Sequence, residues 1–295
     1  MRISHNIAAM NTYRQYNVNA ASANKSMEKL SSGSRINRAA DDAAGLSISE
    51  KMRSQIRGLT QATRNAQDGV SFIQTAEGAL TEVSDMLTRM KELAVQVQNG
   101  TYSNDDKANI GAEMNALGTA ITEIYKNTKF NGTSVFGDQT NLVGDDGTKP
   151  GADGTANAAT IYYGEDGKQS INIKQAKTVE IDKLIDKTFA VAGAADATAK
   201  ATAASAVSVD LVEAAITEVN TTRAAYGAQQ NQLEHMANNM SATKENLQSA
   251  ESRVRDVDMA EEMMEYTKNN ILLQAAQSML AQANTQPQGV LQLLQ

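Results

Sequence analysis

The sequence predicts a mainly α-helical fold, in which a long antiparallel helical rod is built from both halves of the chain. The 295 residues include only two prolines, Pro150 and Pro287, so long stretches meet no helix breaker. Tryptophan is absent and aromatic residues make up 4 %, which is low for an ordinary globular core of this length. Apolar residues also recur at helical spacing over tens of residues in both halves.

The overall composition argues against several classes of protein. A net charge of −7 gives no electrostatic reason to expect nucleic acid or an anionic membrane surface as a partner. The absence of cysteine excludes disulfides and thiolate metal sites. Residues 1–11, MRISHNIAAMN, lack the apolar core of a signal peptide, so any export is expected to use another route.

A long helix is predicted in the first half of the chain. Its apolar seam alternates steps of three and four residues without a slip. Asp41 and Asp42 suit its N-terminus, where carboxylates accept unpaired amide hydrogens, and Asn99-Gly100 suits its end. The seam consists of Leu59, Ala62, Ala66, Gly69, Ile73, Ala76, Leu80, Val83, Leu87, Met90, Ala94 and Val97.

Two further helices follow the same reasoning. A shorter one has Ser103 or Asn104 as its cap and an apolar stripe of Ile110, Met114, Leu117, Ile121 and Ile124. A long one in the second half repeats every seven residues, at Val212, Val219, Tyr226, Leu233, Met240, Leu247 and Val254. Helices of roughly 50 residues reach about 75 Å, whereas a compact chain of this size spans about 50 Å. The long helices therefore favour a rod.

The middle of the chain is predicted to form a small β-rich tip. KFNGTSVF (129–136) carries the Asn-Gly signal of a tight hairpin, and residues 137–158 have the composition of a flexible loop. Residues 161–181 alternate well enough for strands around a Glu-Asp-Gly turn. The Ala- and Thr-rich segment 190–208 is either helix or linker.

The two ends of the chain are almost free of charge. Residues 1–24 contain only Arg2, Arg14 and His5 as ionisable side chains of basic type, and residues 269–295 contain no charged residue. A membrane anchor is excluded because residues 271–283 are too few and include three glutamines. Uncharged, amide-rich helices with apolar stripes suit burial against copies of themselves, and open head-to-tail burial makes a filament.

The predicted assembly residues lie in both ends. We expect Pro287 to break or kink the last helix, and the apolar tail GVLQLLQ (289–295) to fill a groove on neighbouring copies. The residues assigned to assembly are Ile7, Met10, Ile271, Met279, Val290, Leu291, Leu293 and Leu294.

Several long motifs resemble bacterial flagellins, in the same order along the chain. They are LSSGSRINRAADDAAGLSI (30–48), IRGLTQATRNAQDGVSFIQTAEGAL (56–80), LTRMKELAVQ (87–96), KFNG (129–132), SRVRDVDMAEEM (252–263) and QAAQSMLAQANTQPQGVLQLLQ (274–295). The resemblance implies a subunit of the extracellular flagellar filament, which serves motility. It also implies export in an unfolded state through the flagellar type III apparatus.

The same resemblance implies a division of the chain and a set of partners. Residues 1–33 and 262–295 would pair as the inner-tube domain, joined through spoke linkers at 34–41 and 253–261. Residues 42–136 and 209–252 would form the outer-tube rod, with 137–208 as a variable hairpin and loop tip. The implied partners are further copies of the chain, an export chaperone, a cap protein and the hook-junction protein, with no nucleic acid and no membrane insertion.

In similar proteins the LTRMKELAVQ segment lies in a surface sensed by an innate Toll-like receptor. The matching residues here are Arg89, Glu92, Leu93, Gln96 and Glu113. Lys91 stands where an arginine is common, and Gln295 replaces a frequent terminal arginine.

Three other functions are less consistent with the residues. A hook–filament junction protein shares the helical architecture and is the alternative to a filament subunit. A soluble coiled-coil adaptor would explain the heptads but not the uncharged ends. An enzyme is not expected, because no catalytic, cofactor-binding or metal-ligating constellation is present: Asp41-Asp42 is better explained as a helix cap, and His5 and His235 lack ligand spacing.

Overall fold

A computed structural model describes residues 6–136, 157–164, 168–174, 176, 178–193 and 196–293. These residues form seven α-helices and four short β-strands. In chain order they are α1 (Ile7–Ser32), α2 (Ala43–Val97), α3 (Asn104–Asn127), β1 (Lys129–Phe130), β2 (Thr133–Ser134), β3 (Asn157–Tyr162), β4 (Ser170–Lys174), α4 (Val179–Gly193), α5 (Ala197–Ser205), α6 (Val209–Arg255) and α7 (Met259–Leu293). The predicted mainly α-helical fold class is confirmed.

The chain divides into two compact units. Residues 1–56 and 244–295 form the first unit, and residues 57–243 form the second. Each unit therefore draws on both halves of the sequence, as the resemblance implied. The finer division into inner tube, spoke, rod and tip stays a prediction.

The core of the second unit follows the seam predicted for α2. All twelve seam residues from Leu59 to Val97 are buried. A side chain added at Gly69 would lie 3.2 Å from Leu233 Cδ1, and Lys91 Nζ lies 2.7 Å from Glu213 Oε1. As the residue numbers rise along α2, the numbers of the residues that they contact on α6 fall. The two helices therefore pack antiparallel in this unit.

The heptad residues of α6 contribute the facing side of this core. Val212, Val219, Tyr226, Leu233 and Met240 are buried. Leu247 and Val254, which belong to the first unit, are only half-buried. The seven-residue repeat thus predicted the core in the second unit better than in the first.

Helix α3 begins as predicted but buries a different stripe. Ser103 and Asp106 form a reciprocal capping box, in which the Asp106 amide donates to Ser103 Oγ at 3.2 Å. Met114 and Ile121 are buried, while Ile110, Leu117 and Ile124 are only half-buried. Buried Tyr125 was not predicted, and its ring centroid lies 4.8 Å from that of Phe136.

The stripe on α3 shifts because α4 and α5 pack against it. A Cβ atom added at Gly111 would lie 2.7 Å from Val191 Cγ1, and one at Gly118 would lie 2.7 Å from Thr188 Oγ1. Both distances are shorter than side chains tolerate, so the two glycines permit the close approach of these helices.

The middle region is more helical than predicted. The Asn-Gly hairpin is confirmed, with positive φ angles of 49° at Asn131 and 81° at Gly132. Strands β3 and β4 pair antiparallel, but the prediction of strand up to residue 181 is wrong, because α4 begins at Val179. Helix α5 occupies part of the Ala- and Thr-rich segment. Residues 137–156 and the Glu-Asp-Gly turn lie outside the described residues.

The β3–β4 hairpin is held by side chains of the long helices. Asn65 Nδ2 on α2 donates to the carbonyl of Tyr162 at 3.0 Å. On α6, the Tyr226 hydroxyl donates to the carbonyl of Lys174 and Gln229 Nε2 donates to the carbonyl of Asn172, both at 3.2 Å. These donors occupy backbone carbonyls on both strands of the hairpin, which stabilises its position in the second unit.

The last helix does not end at Pro287, because α7 continues to Leu293. The prediction that the helix breaks at this proline is wrong. Proline removes one amide donor, whose acceptor in an α-helix is the carbonyl four residues earlier. That carbonyl belongs to Ala283, and it accepts a hydrogen bond of 2.8 Å from Asn6 Nδ2. The helix therefore loses one bond of its ladder without leaving the acceptor unpaired.

Candidate functional site

The terminal helices α1 and α7 pack against each other through small and polar side chains. The Asn6 Nδ2 contact with Ala283 and the Lys29 Nζ contact with Glu262 Oε2, at 3.2 Å, show that the helices run antiparallel. The buried residues of the pair are Asn19, Ala23 and Ser26 on α1 and Glu262, Asn269, Ala276 and Ala283 on α7. The α7 residues recur every seven positions, as in a coiled coil.

Many large apolar side chains of both helices point to solvent, while Leu30, Leu273 and Leu280 are half-buried. Ile7 and Met10 are 60 % and 66 % exposed, and Ile271 and Met279 are 61 % and 60 % exposed. Further exposed members are Tyr13, Val18, Met27, Met259, Met263, Met264 and Leu272. The fully buried positions of the pair are thus small or polar, and many of its large apolar residues are exposed, unlike in an isolated two-helix protein.

The charges of the pair concentrate at one end. Lys29 lies in the last turn of α1, and Glu261 and Glu262 lie in the first turn of α7, where each charge suits the dipole of its own helix. From Asn269 onward the described part of α7 carries no charged side chain. The exposed apolar residues near Ile271 and Met279 therefore have no charged neighbour on their own helix, and α1 carries a single charged side chain, Arg14, before Lys25.

The connections beside this charged end are tied together by backbone hydrogen bonds. Gly33 ends α1 with a positive φ of 68°, which glycine adopts without strain. Ser34 and Asp256 then form an antiparallel bridge. The amide of Arg35 donates to the carbonyl of Arg255 at 2.6 Å, and the amide of Val257 donates to the carbonyl of Gly33 at 3.1 Å.

Asp41 and Asp42 serve as helix and turn caps in the same unit. Asp42 Oδ1 accepts from the amide of Gly45 at 2.8 Å in the first turn of α2, which confirms the predicted cap. Asp41 Oδ1 lies 2.9 Å from Lys25 Nζ, and its Oδ2 accepts from the amides of Asn37 and Arg38. The Lys25 contact and these amides lower the pKa of Asp41 to about 2.

The structure describes only part of the predicted tail. Val290, Leu291 and Leu293 belong to the helical backbone of α7, but their side chains lie outside the described residues, as does all of Leu294. Their assignment to subunit assembly stays a prediction.

Three of the five residues matched to receptor recognition form an ion-pair cluster in the second unit. The Arg89 guanidinium donates to Glu113 Oε1 through Nε and Nη2, at 3.1 and 2.9 Å, and to Glu92 Oε2 at 2.9 Å. The hydrogen bonds to Glu92 and Glu113 raise the pKa of Arg89. All three side chains are exposed, so the cluster is accessible.

Two of the matched residues differ in their surroundings. Gln96 Nε2 donates to the Tyr102 hydroxyl at 3.2 Å and is half-buried. Leu93 is only 2 % exposed, so its side chain belongs to the core and is not part of the accessible cluster. The seam periodicity did not include Leu93, which is nevertheless buried.

Four residues that sequence reasoning missed hold helices together. Asn6 caps α1 by accepting from the amide of Ala9 at 3.1 Å, and an asparagine ahead of a helical run could have indicated this. Lys29, Glu262 and Glu218 pair with residues distant in sequence, and no local signal distinguishes them from solvated charges.

Metal-ligand clusters and candidate membrane spans are both absent from the described residues. These residues contain no group of three or more histidine or acidic side chains placed to hold a metal ion. None of the helices, as far as they are described, has the length and apolar character needed to cross a bilayer. One surface cleft of about 230 Å³ is lined by Asn109, Asn115, Val191 and Lys200.

Two family models match most of the chain. The model of the bacterial flagellin N-terminal helical region matches residues 3–141, and that of the bacterial flagellin C-terminal helical region matches residues 209–294. The chain belongs to the bacterial flagellin family. Flagellins are structural proteins of the bacterial flagellum, so membership makes this chain a structural component and not a member of a catalytic family.

Similar proteins agree over the full length. The chain is 49 % identical to a flagellin of Bacillus subtilis over 311 residues, covering all of both chains. It is 40 % identical over 300 residues to a flagellar filament core protein of Treponema maltophilum, again covering all of both chains. A putative flagellar hook-associated protein of Vibrio parahaemolyticus has a similar fold, with a TM-score of 0.52 at 13 % identity, covering 73 % of this chain and 100 % of that one.

Proposed function

We propose that this flagellin is the repeating subunit of a bacterial flagellar filament and that copies contact one another through the outer surface of the α1–α7 pair. The observation that carries the proposal is the exposure of large apolar side chains on two helices whose distal halves carry a single charged residue, Arg14. Such a surface is unfavourable in water and favourable against another copy of itself. The name of the Treponema relative, a filament core protein, supports the same function.

The contact can be tested by placing one charge on the exposed surface. Ile271→Asp should raise the critical concentration for filament growth strongly, because the carboxylate would have to be desolvated at a largely apolar contact. Val95→Asp on α2 is the matched control, since Val95 is 55 % exposed against 61 % for Ile271. The control should assemble much closer to wild type. Assembly of Ile271→Asp at the wild-type concentration would refute this contact surface.

The route to the filament rests on the family resemblance alone. It supports export in an unfolded state through the flagellar type III apparatus, with an export chaperone, a cap protein and a hook-junction protein as partners. The resulting location is the extracellular flagellum. Co-purification with the cognate chaperone before export, and detection of the chain in sheared flagella, would test these steps.

The alternative, a hook–filament junction protein, predicts a different assembly. A junction protein forms a short, self-limited layer, whereas a filament subunit grows without a fixed length. The full-length identity to flagellins favours the filament subunit, because the hook-associated protein supports only the fold. Electron microscopy of purified protein after seeding distinguishes long filaments from short rings.

A second candidate function is recognition by a host Toll-like receptor at the Arg89–Glu113 cluster. Its support is the exposure of Arg89, Glu92 and Glu113 together with the motif match. Reversing Arg89 and Glu113 together keeps the ion pair but exchanges its charges. Receptor binding should weaken while filament formation remains, and unchanged receptor affinity would remove this candidate.

A further inference from the structure

The seam between α1 and α7 contains little information about their alignment. Its buried residues are alanine, serine and asparagine apart from Glu262, and they recur at heptad spacing. A shift of α7 by seven residues would place Ala276 where Asn269 stands and Ala283 where Ala276 stands. The larger side chains that line the seam are only half-buried, and on α7 they share the seven-residue spacing, so such a shift would exchange Leu280 for Leu273. Packing therefore distinguishes the two alignments only weakly, and polar contacts must contribute to the choice.

Pro287 creates a single distinctive acceptor on α7. In an uninterrupted helix, interior carbonyls accept from the amide four residues later. Because Pro287 has no amide hydrogen, the carbonyl of Ala283 lacks that donor. Ala283 is 8 % exposed, and a buried carbonyl without a partner is unfavourable.

Asn6 occupies this acceptor with one side of its amide while capping α1 with the other. Its Nδ2 donates to the carbonyl of Ala283 at 2.8 Å, and its Oδ1 accepts from the amide of Ala9 at 3.1 Å. The first turn of α1 is thereby joined to the one carbonyl that the proline releases. If α7 were shifted, the carbonyl of Ala283 would be unpaired. Asn6 would then face a different carbonyl, which already accepts from an amide within the helix.

The opposite end of the pair specifies the same alignment. Lys29 Nζ lies 3.2 Å from Glu262 Oε2, with the side chain of Glu262 9 % exposed. This contact lies 23 residues beyond Asn6 on α1 and 21 residues before Ala283 on α7, by subtraction of their numbers (29 − 6 and 283 − 262). The near-equal intervals show that both contacts belong to one antiparallel register.

We propose that Asn6 and Pro287 together fix the register of the α1–α7 pair, with Asn6 recognising the carbonyl that Pro287 leaves free. Asn6 is a positioning residue, since it sets which exposed apolar residues of α1 stand beside which of α7. The proposal rests on the proposed function, in which that composite surface contacts other copies.

The test is a double-substitution cycle in the full chain. Asn6→Ser and Asn6→Asp both retain an oxygen that caps α1, but Ser is one bond shorter and Asp has no hydrogen to donate. Pro287→Ala restores the amide that bonds the Ala283 carbonyl within α7. Each Asn6 variant is made with Pro287 and with Pro287→Ala, and unfolding of the second unit, followed by circular dichroism, checks that the remainder is unchanged.

Two measurements report the result. The first is the critical concentration for filament growth. The second is intrachain cross-linking of Met10→Cys with Met279→Cys by a short bis-maleimide, which needs no polymer and is specific because the chain has no cysteine. Met10 and Met279 lie at the same level of the antiparallel pair as Asn6 and Ala283, because both pairs of residue numbers add up to 289.

With Pro287 present, both Asn6 variants should raise the critical concentration roughly ten-fold and lower the cross-linking yield. With Pro287→Ala, the same variants should lie within about two-fold of their parent. Equal effects in both backgrounds, or a wild-type result for Asn6→Asp, would overturn the proposal. A third outcome separates the two proposals. If the Asn6 and Pro287 substitutions are coupled in the cross-linking yield but the wild-type chain forms no filaments, the filament contact is refuted and the register proposal stands.

Discussion

The Glu218 carboxylate on α6 provides the sharpest test of how the middle region is attached. Its Oε2 accepts from the amides of Glu180 and Ile181, at 2.7 and 3.3 Å, in the first turn of α4. Glu218 is thus an N-terminal cap for α4 supplied by another helix, and it is 8 % exposed. Replacing Glu218 by alanine removes the acceptor for both amides.

The size of the effect follows from this geometry. Hydrogen bonds to a charged group contribute about 1.5–3 kcal/mol each, and here the second is long, so the gross loss is about 3–4 kcal/mol. Removing a buried carboxylate returns about 1–2 kcal/mol of its desolvation cost, and among the described residues its Oε1 accepts no hydrogen bond. The net destabilisation expected for Glu218→Ala is about 1–3 kcal/mol, with about 2 kcal/mol as its centre.

Glu218→Gln is the matched variant, because its side-chain oxygen still accepts from both amides without the charge. It should be destabilised by about 1 kcal/mol, less than Glu218→Ala. Both free energies of unfolding can be measured by urea titration of the monomer, with its helix content followed by circular dichroism at about 222 nm. A Glu218→Ala variant within about 0.5 kcal/mol of wild type would show that this cap does not hold α4.

Three further outcomes are expected. Leu233→Asp places a carboxylate against Gly69 in the buried α2–α6 seam and should destabilise the second unit by several kcal/mol, roughly 3–5; wild-type thermal unfolding would contradict the seam. Deleting residues 290–295 should abolish or severely weaken filament growth but leave the monomer's melting unchanged, and sedimentation after seeding decides this. The pKa of Asp41 is lowered to about 2 from 3.8, so its contribution to stability is complete above about pH 4 and is lost as the pH falls toward 2. Asp41→Asn should reduce the change in stability over that interval, and an unaltered acid transition would argue against the Lys25–Asp41 contact.

Periodicity predicted the face of α2 that meets α6. The α2 seam is buried along its whole length, because a regular alternation of three and four residues keeps the seam residues on one face of the helix. Leu93 lies outside this seam and is also buried, so α2 packs on a second face that the alternation did not indicate. The stripe on α3 was only partly correct, because α4 and α5 cover a second face through Gly111 and Gly118. A glycine carries no apolar signal, so its role in a close contact is invisible to a count of apolar residues.

The candidate site also combines features that the sequence predicted with features that it did not. Composition alone identified the nearly charge-free ends, and the exposure of Ile7, Met10, Ile271 and Met279 agrees with a surface for other copies, although their role in assembly stays a prediction. The seam of the pair was not predicted, since serine, asparagine and alanine are as common on solvated helix faces as in such a contact. The motif match identified Arg89 and Glu113, but their ion pair depends on the packing of α3 beside α2.

By itself, the sequence determined the properties that depend on neighbours along the chain. These are the helix caps at Asp42 and Ser103, the type of hairpin at Asn131-Gly132, the α2 seam and the absence of charge after residue 268. Only the tertiary structure decided that α7 continues through Pro287. The reason is that a proline's effect depends on whether its orphaned carbonyl finds a donor, and here the donor, Asn6, is 277 residues away from Ala283 in the sequence.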